Sequence, residues 1–371
     1  MSAKLSEEQR LLRRAARQLA EGEFRARAFK WEGRYPEENE RALREQGLLG
    51  VSLPEVYGGG GLTLVDEVMV IEEIGRVCPE TAMLMTLAGP PRILAEIGPE
   101  HLKQRYIRGF CQDGRKIAIA ISEPEAGSAM NELRTRATLV DGKLRIQGEK
   151  LFISHAEVAT AFLVFVRFEE GIGAVMVERD APGFRIVRSD QNMAGHLLSS
   201  LEFNDCVIPA DSVVISGANS FERLMQAFNN ERCLSASWAV ATALCALDMA
   251  LEYAQQRKQF RRAIADFQGM QWKLADMAMR VESARLVVQQ AAHAPTRLNS
   301  SMAKVVACEM VEAVASDALQ VFGATGYLKP HPMEFIYRLA RGRRIAGGTV
   351  EMQRNSIARE LLRKGLHRSD G

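Results

Sequence analysis

Two short stretches carry the residue types that could take part in chemistry. The first is "IAGGTVEMQR" at 345–354, where Gly347 and Gly348 interrupt a chain that otherwise ends in helical patterning. Read alone, the pair is a helix-to-helix turn, since glycine tolerates positive φ. The second is "FNNERCLSA" at 228–236, where Glu231 sits directly before Arg232. Read alone, Glu231 is a first-turn glutamate favoured by the helix dipole. A third stretch, "YGGGGL" at 57–62, could cradle a phosphate, but no Lys-Ser/Thr follows it and a tight surface loop is the better reading. The six cysteines include no C-x-x-C pair and the six histidines no H-x-x-x-H pair. A zinc site, a disulfide framework and a metal centre are therefore disfavoured, and the thiols read as reduced, as in a cytoplasmic protein.

The elements that must position these residues fall into three blocks: 1–115, 116–218 and 219–371. The first reads as helical. It opens on a capping box, Ser6-Glu7-Glu8-Gln9, and "TLVDEVMVIEEIGRVC" at 63–78 resumes the pattern after the glycine run. The second holds short Val-, Ile- and Phe-rich segments such as "KIAIAI" (116–121), "KLRIQ" (143–147) and "FLVFVRF" (162–168). Asp141-Gly142 there is a strong hairpin turn, so the block reads as a compact antiparallel β domain or barrel. The third is helical again. Val240, Leu244, Leu247, Leu251 and Ala254 form one seam, and Leu274, Met277, Val281, Ala284 and Val288 another, as in a four-helix bundle. Alanine and methionine on the other faces predict cover on more than one side, as at a subunit interface. The fold class is α+β, with β between two helical domains, and no G-x-G-x-x-G follows a strand as a nicotinamide fold requires.

Charge excludes one further class. Lys and Arg total 48 against 46 Asp and Glu, a net charge of +2, so no nucleic-acid footprint is indicated. The N-terminal segment is too charged for a signal peptide, and no unbroken apolar run of about 18 residues predicts a membrane span.

Four motifs in order resemble the acyl-CoA dehydrogenase family over essentially the whole chain: "AISEPEAGSA" (120–129), "GEKLFISHAEVA" (148–159), "YAQQRKQFRRAIADFQGMQWKLADMA" (253–278) and "QVFGATGYLKPHPMEFIYRLARGRRIAGGTVEMQR" (320–354). The resemblance implies bound FAD and formation of an α,β double bond in an acyl thioester. A base takes the α-proton, donors stabilise the developing enolate, and the β-hydrogen leaves as hydride to flavin N5. It also implies residue roles. Ser122 lies beside the flavin's reactive edge, and Phe152 and Ser154 flank the ring. Ser128 meets the CoA portion, and Arg232 lies near the active site and the substrate. Arg257, Phe260 and Gln268 hold the FAD of a neighbouring subunit, with Gln320 and Thr349 on its pyrophosphate and adenine side. Taken singly, Phe152 would pass for strand core, Gln268 and Gln320 for surface glutamines, and Arg257 for a solvated basic helix face.

The resemblance also marks a departure. Many relatives carry their catalytic glutamate where this chain has Gly347, before Gly348 and Thr349. A smaller set, including isovaleryl-CoA and long-chain types, carries it immediately before the arginine of a long C-terminal helix, which is Glu231 here. The loss and the gain occur together, so the expectation is Glu231 as base, with the Gly347 backbone N–H donating to the thioester carbonyl. Ala129, Arg261 and Leu339 are further departures. A branch that desulfinates 3-sulfinopropionyl-CoA shares "ISEPEAGSA" and "IAGGT" but uses an arginine near 81–85, where this chain reads "TAMLM". Met83 and Met85 there predict an apolar acyl wall. Electron-transferring flavoprotein as acceptor and a homotetramer or dimer are further implications. The alternatives are enoyl-CoA reduction, desulfination, or a non-catalytic acyl-CoA-binding protein.

Overall fold

The computed structural model of the protein describes residues 5–31 and 33–365. Contacts divide the chain into two compact units, one formed by residues up to 31, 63–84 and from 229 onward, the other by 32–62 and 85–228. The helical block 1–115 thus contributes to both.

The first unit is helical. The helix Glu7–Leu19 opens on the expected capping box, with the Gln9 N–H donating to Ser6 Oγ at 3.1 Å and the Ser6 N–H to Gln9 Oε1 at 3.2 Å. The long helix Ser220–Gln256, part of this unit from Asn229 onward, is followed after a short hairpin by Gln268–His293 and then Arg297–Phe322, and the last of these packs against Gln268–His293, Pro332–Arg343 and Val350–Lys364. Both expected seams bury their central members: Val240, Leu247 and Ala254 on one helix, Met277, Val281, Ala284 and Val288 on the next. Helices Leu64–Gly75 and Pro79–Leu84 belong to this unit because their backbones dock on Ser220–Gln256. Ser237 Oγ donates to the Val68 carbonyl at 3.0 Å and Trp238 Nε1 to that of Pro79 at 2.8 Å. By length and composition Ser220–Gln256 could cross a membrane, although no unbroken apolar run forecasts it; 78% of its apolar window is buried inside the fold, as a core helix requires.

The second unit is built on a sheet whose strand order is β6-β7-β3-β2-β4-β5-β8. Its strands are β1 Ile117–Ala120, β2 Arg136–Val140, β3 Lys143–Ser154, β4 Ala161–Phe168, β5 Gly171–Glu178, β6 Phe184–Gln191, β7 Leu197–Pro209 and β8 Val213–Ile215. The Asp141-Gly142 turn joins β2 to β3, with φ of 50° and 73°, the left-handed pair that a two-residue hairpin needs. The sheet is mixed rather than purely antiparallel, because β1 and β2 both pair parallel with β4. Phe162, Val164, Val175, Val177, Leu201 and Phe203 share one core.

Candidate active site

Each unit carries its own set of the expected residues. In the β unit they gather around an irregularity in β3. Alternation along this strand buries Leu144, Ile146 and Lys150, and then the register against β7 shifts between Lys150 and Ile153. The shift is a bulge. Phe152 lies in it with φ +60° and 65% of its surface exposed, so strand core is ruled out. An aromatic side chain held in a left-handed backbone and left open to solvent is strain and exposure without local compensation, the signature of a ligand platform. Ser154 is also exposed, and Ser122 is half-buried. The Leu151 N–H donates to the Ser122 carbonyl at 2.8 Å, which ties the end of the β1 loop to the bulge. Ser128 is exposed further along that loop.

A buried ion pair sets this geometry. Lys150, wholly inaccessible, donates to Glu123 Oε1 at 2.7 Å and to the Ile121 carbonyl at 3.0 Å. Glu123 also accepts from the N–H groups of Arg134 at 2.6 Å and Thr135 at 3.0 Å. Burial opposes its charge, but Lys150 and these donors hold its carboxyl below the usual carboxylate range. Both residues flank Ser122 and were missed in the sequence. The available signal was parity: a lysine on the inward face of an alternating strand.

In the helical unit, Glu231 stands well inside Ser220–Gln256, not in its first turn, so the helix-dipole reading fails. It is half-buried. Arg232 beside it donates to Asn229 Oδ1 at 2.7 Å, and burial, reinforced by the charge of Arg297, pushes it down to about 10. Ser235 follows Glu231 by four residues, hence on the same helix face. Its hydroxyl accepts from Arg343, whose guanidinium lies 4.0 Å over the Trp238 ring, and from Lys304 Nζ at 3.5 Å. Lys304 is wholly inaccessible and also donates to the Ala346 carbonyl at 2.5 Å. Burial, with the nearby Arg343 and Arg232 charges, lowers Lys304 to about 8.

The glycine loop sits on that ammonium. Gly347 and Gly348 have φ of +68° and +84°, and a Cβ on Gly347 would lie 2.9 Å from Lys304 Nζ. The loop is closed by Val350 N–H donating to the Arg344 carbonyl at 3.1 Å, and Thr349 caps the last helix by accepting from the Met352 N–H at 3.3 Å. Gly347 is exposed and its N–H has no partner among the described residues. The chain Glu231–Ser235–Lys304–Ala346 thus links the two stretches with which the sequence reading began.

Arg257, Phe260 and Gln268 lie together at the hairpin of β9 Lys258–Gln259 and β10 Arg262–Ala263 and the start of the helix that follows it. All three are exposed, Phe260 at 88%, and Gln320 is exposed near the end of Arg297–Phe322. Met85 is buried and Met83 half-buried. Among the described residues no group of His, Cys, Asp and Glu could hold a metal ion.

The helical unit thus carries a half-buried carboxylate at Glu231 and an open backbone N–H at Gly347, and the β unit an exposed aromatic on a strained bulge. Family models described as the N-terminal, middle and C-terminal domains of acyl-CoA dehydrogenase match residues 6–113, 118–206 and 221–362. The chain is 37% identical to 3-sulfinopropanoyl-CoA desulfinase of Paraburkholderia xenovorans, covering 98% of both. It is 32% identical to acryloyl-CoA reductase (NADH) of Anaerotignum propionicum, covering 98% of this chain and 97% of that one. The solved butyryl-CoA dehydrogenase of Megasphaera elsdenii superposes with a TM-score of 0.90 at 27% identity, covering 98% of this chain and all of that one. The chain belongs to the acyl-CoA dehydrogenase family, whose members are FAD-dependent oxidoreductases. The exposed, strained Phe152 between Ser122 and Ser154 fits that cofactor.

Proposed function

We propose that the protein dehydrogenates an acyl-CoA thioester with Glu231 as the base. The observation that carries this reading is at Gly347. A side chain there would press on the Lys304 ammonium, and the left-handed backbone disfavours any side chain, which favours a carboxylate supplied from another element. Glu231 supplies it. Its carboxylate takes the α-proton, while the unpartnered N–H of Gly347 donates to the thioester oxygen as negative charge develops there. Base and oxyanion donor are thereby separated onto two elements. FAD, when bound, supplies the two-electron acceptor for the β-hydrogen. Ser122, Phe152 and Ser154 hold its reactive end, and Thr349, Gln320, Arg257, Phe260 and Gln268 hold the remainder, the last three in a neighbouring subunit. Ser128 and Arg232 serve the substrate.

The oligomer is supported by an apolar stripe on Gln268–His293, where Trp272, Met279 and Leu286 recur every seven residues and are 62%, 60% and 54% exposed. Electrons leave the reduced enzyme to an electron-transferring flavoprotein. The experiment is anaerobic titration of the yellow holoenzyme with a panel of CoA thioesters, with enoyl-CoA measured as product. Bleaching matched by enoyl-CoA supports the reading. Sulfite release from a sulfinoacyl-CoA without net bleaching would replace it with desulfination, the second reading, which the absent carboxylate at 347 and the similar desulfinase favour.

A further inference from the structure

The helical unit contains a cluster of cations, Lys304 buried and Arg343 half-buried, that the chemistry above does not use. Ser235 Oγ accepts from both Arg343 and Lys304, which leaves its own O–H to donate elsewhere. Arg343 Nε is buried and has no hydrogen-bond partner. Among the described residues, Lys304 donates to the Ala346 carbonyl and to Ser235. Among the described residues no carboxylate is ion-paired with Arg343, Lys304 or the adjacent Arg232, whose nearest charged neighbours include one another and Arg297.

Burying like charges without a counter-charge is costly, and native interiors rarely leave a guanidinium nitrogen unsatisfied. The burden is visible in both groups: burial holds Lys304 and Arg343 below their ordinary values. Trp238 provides a flat wall for the guanidinium and is itself fixed to the Pro79 carbonyl. The donors converge one helical turn from Glu231, and Lys304 lies beside Gly347.

We propose that this cationic cluster binds an anionic group, carboxylate or sulfinate, at the far end of a short acyl-CoA substrate, through Arg343, Lys304 and Ser235. This rests on the acyl-CoA reading above and names the substrate class of that site. It replaces the apolar acyl wall expected from Met83 and Met85, of which Met85 is buried. A charge-assisted pair at Arg343 orients the acyl chain by its terminus.

The test is calorimetric binding of succinyl-CoA and butyryl-CoA to the holoenzyme, which needs no turnover. Succinyl-CoA binds about tenfold or more tighter, as one or two charge-assisted hydrogen bonds warrant. Arg343→Gln removes that preference and leaves butyryl-CoA affinity within about threefold. Ser235→Ala, a milder change, reduces the preference in the same direction. Butyryl-CoA binding as tightly as succinyl-CoA in the parent overturns the proposal, as does an equal loss of both ligands in either variant. Failure of both thioesters to bind would instead overturn the acyl-CoA reading itself. Repeating the titration with a sulfinoacyl-CoA separates sulfinate from carboxylate as the preferred anion.

Discussion

Lys304 Nζ lies 2.9 Å from where the Cβ of a side chain on Gly347 would sit, and Gly347 is left-handed at φ +68°. The ammonium holds the Ala346 carbonyl in place, so the loop and the lysine form one unit. Restoring a glutamate at 347 therefore meets a conformational barrier and must displace the Lys304 ammonium. Gly347→Glu in a Glu231→Gln background is expected to recover no flavin reduction by substrate, and Gly347→Ala alone to destabilise by about 1 kcal/mol or more. Stopped-flow bleaching and thermal melts check the two parts. Recovered bleaching in the double variant would show that the loop relaxes.

The hairpin at 258–263 carries the opposite defect. Its turn residues Phe260 and Arg261 both have positive φ, 50° and 67°, a geometry suited to glycine or asparagine. Arg261→Gly is expected to stabilise the protein by about 1 kcal/mol by removing the Cβ strain. A melting temperature at or below that of the parent would count against this. Phe260 is the residue proposed to meet the cofactor, a role that would give a reason to keep the strain on its side of the turn.

Lys304 makes stability depend on pH. A free lysine titrates near 10.4, and burial brings this one to about 8. The unfolded chain therefore binds an extra proton between those values, and stability from this group rises as pH increases through that window. Relative to Lys304→Met, the parent should gain on the order of 3 kcal/mol between pH 8 and 10.5. Reversible urea unfolding across that range measures it. A constant difference would mean that Lys304 keeps its ordinary affinity for protons.

Cofactor removal tests the assembly. If Arg257, Phe260 and Gln268 reach the FAD of a neighbouring subunit as proposed, cofactor and oligomer stabilise each other by mass action. Stripping FAD should shift the protein to smaller species in gel filtration, and adding it back should restore them. A monomer with full FAD occupancy would contradict the cross-subunit arrangement.

What could be read ahead of the structure was local. The Ser6–Gln9 capping box, the Asp141-Gly142 turn and the seam through Met277, Val281, Ala284 and Val288 depend on residues a few positions apart, and all three form. The families of residues at Phe152 and Gly347 were legible only through a resemblance, since alternation alone would bury Phe152 and a glycine pair alone is a turn. The bulge after Lys150 resets the alternation, and strand parity carries no warning of it. The cationic cluster was illegible. Ser235, Lys304 and Arg343 come from three helices far apart in sequence, and each alone reads as an ordinary helix residue. Taken alone Glu231 reads as a first-turn glutamate, but it lies eleven residues into Ser220–Gln256, which starts where the helical block was expected to begin.

The central claim is that Glu231 performs the proton abstraction that residue 347 cannot. Its most direct test is single-turnover anaerobic reduction of holoenzyme by a bleaching thioester, comparing the parent with Glu231→Gln. The amide retains the shape but cannot accept the proton. The account predicts unchanged thioester binding and bleaching slower by about 10²–10⁴-fold. Bleaching of Glu231→Gln at the parent rate would contradict it.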